Sequence, residues 1–160
     1  MEGNTPRIDE SETIEFKPDT GEGRVRAASY LTILSRDTSP AELARLVGLV
    51  PDETWSKGDL RSRHGRRRKQ PFNGISYESG LDEKQSPTDH LAALIGRLEP
   101  FAASIAEVAA RAGTHSVRVS FVEHTERDNI NGGAYPLQLA VLGRMGAELF
   151  IDVYFYDDDV

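Results

Sequence analysis

Three clusters in this 160-residue chain combine residue types that could do chemistry. The first is His124, Glu126 and Asp128. On an extended backbone alternate residues share one side, so a nitrogen and two carboxylates could face a single divalent ion. The same spacing is common in polar strand ends that run into loops, and that is the expectation here, with no metal and no cofactor assigned. The second is Asp152, set among Phe150, Tyr154 and Tyr156. Acids are depleted from strand centres. Asp152 therefore either receives a ligand or an arginine between aromatic walls, or is a surface acid bonded within the chain. The third is the basic window from Lys57 to Gln70.

That window holds seven basic residues (Lys57, Arg61, Arg63, Arg66, Arg67, Arg68 and Lys69) against one acid, Asp59, so it carries +6. The whole chain carries -7, which leaves -13 for the remainder. Acids crowd the start, from Glu2 to Glu22, and the end, at Asp152 and Asp157–Asp159. An acidic body repels nucleic acid at long range and attracts basic partners. The arginine window argues locally for anions, although charge runs more often mark solvated faces.

Motifs for common enzyme chemistries are missing from the sequence. Gly132-Gly133 is not followed by the lysine and hydroxyl of a phosphate-binding loop, and there is no Gly-x-Ser-x-Gly elbow. None of the four histidines lies four residues from another, as a helical metal pair requires. His90, beside Asp89 in a helix's first turn, is expected to bond the helix end or a neighbouring loop. A small hydrolase built on His90 or His124 with a carboxylate would need a pocket that the sequence does not define. With no cysteine there is no disulfide framework and no thiolate chemistry. No segment reads as a membrane span or secretory signal, so the expected compartment is the cytoplasm.

The elements that must position these residues follow from pattern. Residues 1–25 mix prolines, glycines and acids and read as an acidic arm, with a short strand at Thr13–Phe16. Residues 26–160 read as one domain. Ala27–Ser35 is rich in β-formers. Ser39-Pro40-Ala41-Glu42 has the cap and first-turn residues of a helix that Gly48 ends. Leu49–Gln70 reads as a loop whose length marks it as disordered or used for binding, with Trp55 anchoring it. Asn73-Gly74 is a turn signal leading into a strand at Ile75–Ser79.

Ser86-Pro87-Thr88-Asp89 starts a long helix with a stripe of Leu91, Leu94, Ile95, Leu98, Ala102 and Ile105, which Pro100 must kink or split. Ser116–His124 is a half-exposed strand, and Pro136–Met145 a further helix with Leu137, Leu139, Val141 and Leu142 apolar. Glu148–Tyr156 is the strongest strand, with Leu149, Ile151, Val153 and Phe155 expected inward and Phe150, Asp152, Tyr154 and Tyr156 outward. Strands with one polar face favour an α+β two-layer sandwich, an approximately four-stranded mixed or antiparallel sheet with helices on one face. A small three-layer α/β fold is the alternative.

Several of these segments, in this order, resemble the bacterial domain-of-unknown-function 4279 family. They are Pro40-Ala41-Glu42-Leu43 leading to Gly48-Leu49-Val50-Pro51, then Lys57-Gly58-Asp59, Gly74-Ile75-Ser76-Tyr77-Glu78-Ser79 and His90-Leu91 with Leu94, Leu98, Glu99 and Pro100. The closing block runs from Leu142-Gly143 through Ala147-Glu148-Leu149-Phe150-Ile151-Asp152-Val153-Tyr154. Where the family's Gly-x-x-x-x-Ser strand is associated with a tryptophan, this chain has Ile75, and residues 1–25 are an added acidic stretch. The resemblance implies a compact α+β domain of bacterial or phage origin and no particular activity. It also raises the expectation of an immunity- or antitoxin-like role.

Together these readings favour a non-enzymatic protein-binding domain that meets a basic partner. The expected contacts are Asp152, Tyr154, Tyr156, Asp157 and Asp158, tyrosines supplying buried area and acids supplying steering. The alternative is a nucleic-acid or phosphate-ligand binder working through Arg61, Arg63, Arg66, Arg67, Arg68 and Lys69. That window lacks interleaved aromatics for base stacking. No membrane partner is expected, and the oligomeric state is left open.

Overall fold

The computed structural model describes residues 26–63, 66–125 and 132–155. Its centre is β1 (Arg26–Ser35), whose alternate residues Ala27, Ser29, Leu31, Ile33 and Ser35 are buried. The chain then enters α1 (Pro40–Val47) as its sequence dictates. Ser39 Oγ accepts from the Glu42 backbone N–H, and Gly48 takes the left-handed conformation (φ 81°) that ends the helix. Glu42 forms a two-point pair with Arg45 at 2.7 and 2.6 Å.

Three strands follow where a loop is expected. They are β2 (Glu53–Trp55) and the hairpin of β3 (Leu60–Arg63) with β4 (Arg66–Lys69). Neither carries the apolar alternation that identifies a strand in sequence. β5 (Asn73–Glu78) begins at Asn73, so Asn73-Gly74 lies within a strand and is not a turn. Glycine is needed there for space: Gly74 is paired in register with Trp55, whose indole covers it.

Ser86 caps α2 (Pro87–Leu98) by accepting from the Asp89 N–H at 3.1 Å. Pro100 splits the expected long helix, and a 3-10 turn (Glu99–Phe101) separates α2 from α3 (Ala102–Ala109). Then come β6 (Thr114–Thr125), α4 (Pro136–Met145) and β7 (Glu148–Phe155).

The main sheet has five strands in the order β2-β5-β1-β6-β7, one more than the expected four or so, and the β3–β4 hairpin forms a separate two-stranded sheet. Every pairing is antiparallel except β6 with β7, which run parallel across the α4 crossover. The helices pack on one side. Leu31, Ile33, Ile75, Tyr77, Val119 and Phe121 from the sheet meet Leu43, Leu91, Leu94, Leu98, Ile105 and Met145 from the helices. This is the α+β two-layer arrangement with helices on one face.

Two expected faces need correction. In α4, Val141, Leu142 and Met145 are buried, but Leu137 and Leu139 are exposed. That helix packs chiefly on α3. In β7 the inward set is not buried: Leu149 and Val153 are half-buried, while Ile151 is 56% and Phe155 54% exposed. β7 is the last strand of the sheet, and α2 packs chiefly over β1 and more lightly on β6. The expected strand at Thr13–Phe16 lies outside the described residues.

Candidate functional site

The sheet face opposite the helices is built by the even-numbered residues of β1, β6 and β7. Register fixes their neighbours. Tyr30 lies across from Ser120, and Ser120 across from Phe150. Thr32 lies across from Arg118, Arg118 from Glu148, Val122 from Asp152, and His124 from Tyr154. The aromatic residues of β7 are engaged from β6. The Arg118 guanidinium sits 3.8 Å from the Phe150 ring centroid, and the His124 ring stacks on Tyr154 at 4.8 Å. Arg118 also approaches Glu148 at 3.9 Å, a long and partly solvated pair.

Phe150 remains 41% and Tyr154 46% exposed on this face. Asp152 is half-buried between them on the same side. Tyr156, Asp157 and Asp158 lie outside the described residues. The structure therefore brings Asp152 and Tyr154 together on one face. It adds Phe155 and Ile151, exposed on the other face of the same strand, which alternation alone assigns to the core.

At the opposite edge, the arginine window forms a ribbon. Its register sets Leu60 across from Lys69, Arg61 from Arg68, Ser62 from Arg67 and Arg63 from Arg66. Arg61 is tied down. It ion-pairs with Glu53, and its guanidinium lies 4.2 Å from the Trp55 ring centroid. Trp55 is buried as expected of an anchor, on the side away from the helices where Gly74 leaves room for it. Arg67, Arg68 and Lys69 are exposed.

The histidines serve structure where they are described. His90 is only 2% exposed. Its Nε2 donates to the Asp82 carbonyl at 3.1 Å, which leaves Nδ1 to accept from the Ser79 hydroxyl at 2.7 Å. Both ring nitrogens are therefore engaged in holding the loop after β5 on α2. His124 belongs to the Tyr154 stack, and its expected companions Glu126 and Asp128 lie outside the described residues. His115 stacks on Phe72 at 4.0 Å. Sequence reasoning also missed Glu123, fully buried on the core-facing side of β6 with Val119 and Phe121. Its period-2 spacing from Phe121 was the available signal.

An ion-pair cluster joins the α1–β2 connection to α2. Asp52 accepts from Arg97 Nη1 at 2.6 Å, Arg97 Nη2 at 3.2 Å and the Glu78 N–H at 2.7 Å. The Arg97 bond, against a smaller effect of burial, holds the Asp52 carboxyl below its usual range. Nearby, the Tyr77 hydroxyl donates to the Leu49 carbonyl at 3.0 Å, and burial pushes its pKa up to about 12.

Fold and site together define a two-layer α+β domain whose parallel edge strand displays apolar side chains on both faces. The family model described as a domain of unknown function (DUF4279) matches residues 24–156, and the chain belongs to that family. No curated protein and no solved structure matches the chain significantly. Among the described residues no helix is long and apolar enough to cross a membrane.

Proposed function

We propose that this chain is a non-enzymatic protein-binding domain, immunity- or antitoxin-like, that holds a basic partner protein against β7 and the adjoining open sheet face. One observation carries the reading: Phe150, Ile151, Tyr154 and Phe155 are all between 41% and 56% exposed on a single eight-residue edge strand. Folded domains usually shield such an edge with charges, bulges or a covering element. Main-chain groups of the edge would add a partner strand, and alternate side chains on either face would set its register.

The expected chemistry of the partner follows from charge. Asp152 stands between the exposed aromatic residues, and Asp157–Asp159 follow in sequence. The chain outside the basic window carries -13, which steers a cationic partner. Phe150 and Tyr154 would supply the desolvated contact and Asp152 the register. The proposed setting is the cytoplasm of a bacterial cell.

The test is co-purification with the product of a neighbouring gene, followed by titration calorimetry on variants. Tyr154→Ala and Phe150→Ala are expected to weaken binding at least tenfold each, and Asp152→Asn to make it less salt-sensitive. Binding that is indifferent to all three would refute the assignment of this face. Indifference to charge reversal at Asp157–Asp159 would remove the electrostatic component alone.

A further inference from the structure

The β3–β4 ribbon is assembled against the rules that normally stabilise a hairpin. Like charges directly across two strands repel, yet its register opposes Arg61 to Arg68. It has no core of its own: Leu60, the one large apolar residue in either strand, is 61% exposed. A lone two-stranded hairpin is marginal in water even without this repulsion. The ribbon is instead held at its root. Gly58 N–H donates to the Gln70 carbonyl at 2.8 Å, Gln70 N–H to the Asp59 carbonyl at 2.9 Å, and the Asp59 carboxylate accepts from Ser56 N–H at 2.7 Å. Arg61, neutralised by Glu53 and laid on Trp55, fixes the ribbon to the sheet edge. Beyond that root, Arg67, Arg68 and Lys69 make no ion pair with any described residue.

We infer that this ribbon is a second binding element, independent of β7, that docks on the phosphate backbone of duplex DNA through Arg67, Arg68 and Lys69. A polyanion supplies the counter-charge that Arg67, Arg68 and Lys69 lack among the described residues. Arginine's planar fork suits phosphate oxygens. A two-stranded ribbon has the width that the major groove of B-form DNA admits, whereas the deep, narrow major groove of duplex RNA does not. Single strands fit less well, because they are gripped by exposed aromatic platforms. The ribbon's neighbouring aromatic, Trp55, is buried and covered by Arg61. The acidic remainder of the chain opposes binding at long range, so recognition is local, weak and strongly salt-dependent.

The experiment is fluorescence anisotropy of a labelled 20-base-pair DNA duplex with the full chain, starting near 20 mM salt. Three phosphate contacts predict that log K falls against log salt with a slope of about -3. Arg68→Ala should reduce that slope by about 1 and Arg68→Lys should largely preserve it. The triple variant Arg67→Ala/Arg68→Ala/Lys69→Ala should abolish binding, while Tyr154→Ala leaves it unchanged. An unaltered near-ultraviolet signal from Trp55 confirms that each variant keeps the ribbon root. The inference is overturned by no binding at low salt or by a triple variant that binds like the parent. Equal competition by polyglutamate, by the single-stranded oligonucleotide or by anionic lipid vesicles overturns it too. Because the β7 variants act on a different edge, failure here leaves the protein-binding reading standing, and the reverse also holds.

Discussion

The Trp55 indole occupies the space in which a side chain at position 74 would stand. A Cβ built on Gly74 falls less than 3.0 Å from three atoms of the ring, and the two residues are paired in register between β2 and β5. The three-residue edge strand β2 is thus clamped by its aromatic side chain lying flat over a neighbour's bare backbone. Gly74→Ala should cost about 1–3 kcal/mol, the usual range for overpacking a closed site. In a Trp55→Ala background the same change should cost far less. A double-mutant cycle by urea denaturation measures the coupling, and additivity of the two changes would refute the clamp.

Tyr77 gives the fold an alkaline limit. Its ring is fully buried and its hydroxyl bonds the Leu49 carbonyl, so the neutral phenol is favoured in the folded state. With the folded pKa raised to about 12 and an ordinary unfolded value of 10, the stability tied to the protonated form is complete below pH 10. It is lost between pH 10 and about 12. Tyr77→Phe should lose about 1 kcal/mol at pH 7, because the hydrogen bond goes and the carbonyl is left without its donor. The deficit should shrink by pH 11, since phenylalanine has no proton to lose. Urea midpoints at pH 7, 9 and 11 check both the sign and the crossover.

Much of the architecture was legible because local chemistry and tertiary context agree. Ser39-Pro40 and Ser86-Pro87 cap helices as their residue types require, Gly48 ends α1, and Pro100 divides α2 from α3. In β6 the alternation of Val117, Val119 and Phe121 with Arg118 and Val122 marks the core face, whereas the apolar run of β1 marks a strand without showing which of its faces is buried. Failures occur where a residue serves a neighbour remote in sequence. Gly74 resembles half of a turn signal but is there for Trp55. The β3–β4 ribbon has no apolar period, and its charge argues against strand pairing. Alternation in β7 identified which side chains share a face, placing Asp152 and Tyr154 together. It carries no information on whether a helix covers the other face, so the exposure of Ile151 and Phe155 was invisible.

Asp52 should set an acid-side dependence of opposite sign. Its carboxyl, held low by Arg97, contributes stability that is complete above the unfolded value of about 4 and is lost as pH falls through the folded one. The pair is partly solvated, so Asp52→Asn should cost only about 0.5–1 kcal/mol at pH 7. That difference should narrow toward pH 3 and in high salt. A cost that persists unchanged at pH 3 would mean that the amide disrupts packing, not charge.

The edge strand offers the most direct check on what β7 is for. Ile151 is more than half exposed and lines a shallow apolar hollow with Leu91, Phe121, Gly133, Ala134 and Leu149. An isoleucine that belonged to the core would lose about 2–5 kcal/mol on truncation, and more on acquiring a charge. At this position Ile151→Lys leaves the ammonium in water, and its effect on stability should stay within about 0.5 kcal/mol. Lysine is also the residue with which natural sheets block strand addition at an edge. The variant should therefore fold like the parent, associate less at high concentration in light scattering, and bind a β7-directed partner more weakly. The charge contributes to that last effect as well, because a basic partner would now meet a cation beside Asp152. Ile151→Ser separates the two causes, since it removes the apolar contact without adding charge. If both variants destabilise the fold by several kcal/mol, Ile151 is a core residue and the strand's inward face is closed. If both fold normally and neither affects partner capture, the binding surface lies on the Phe150–Tyr154 side alone.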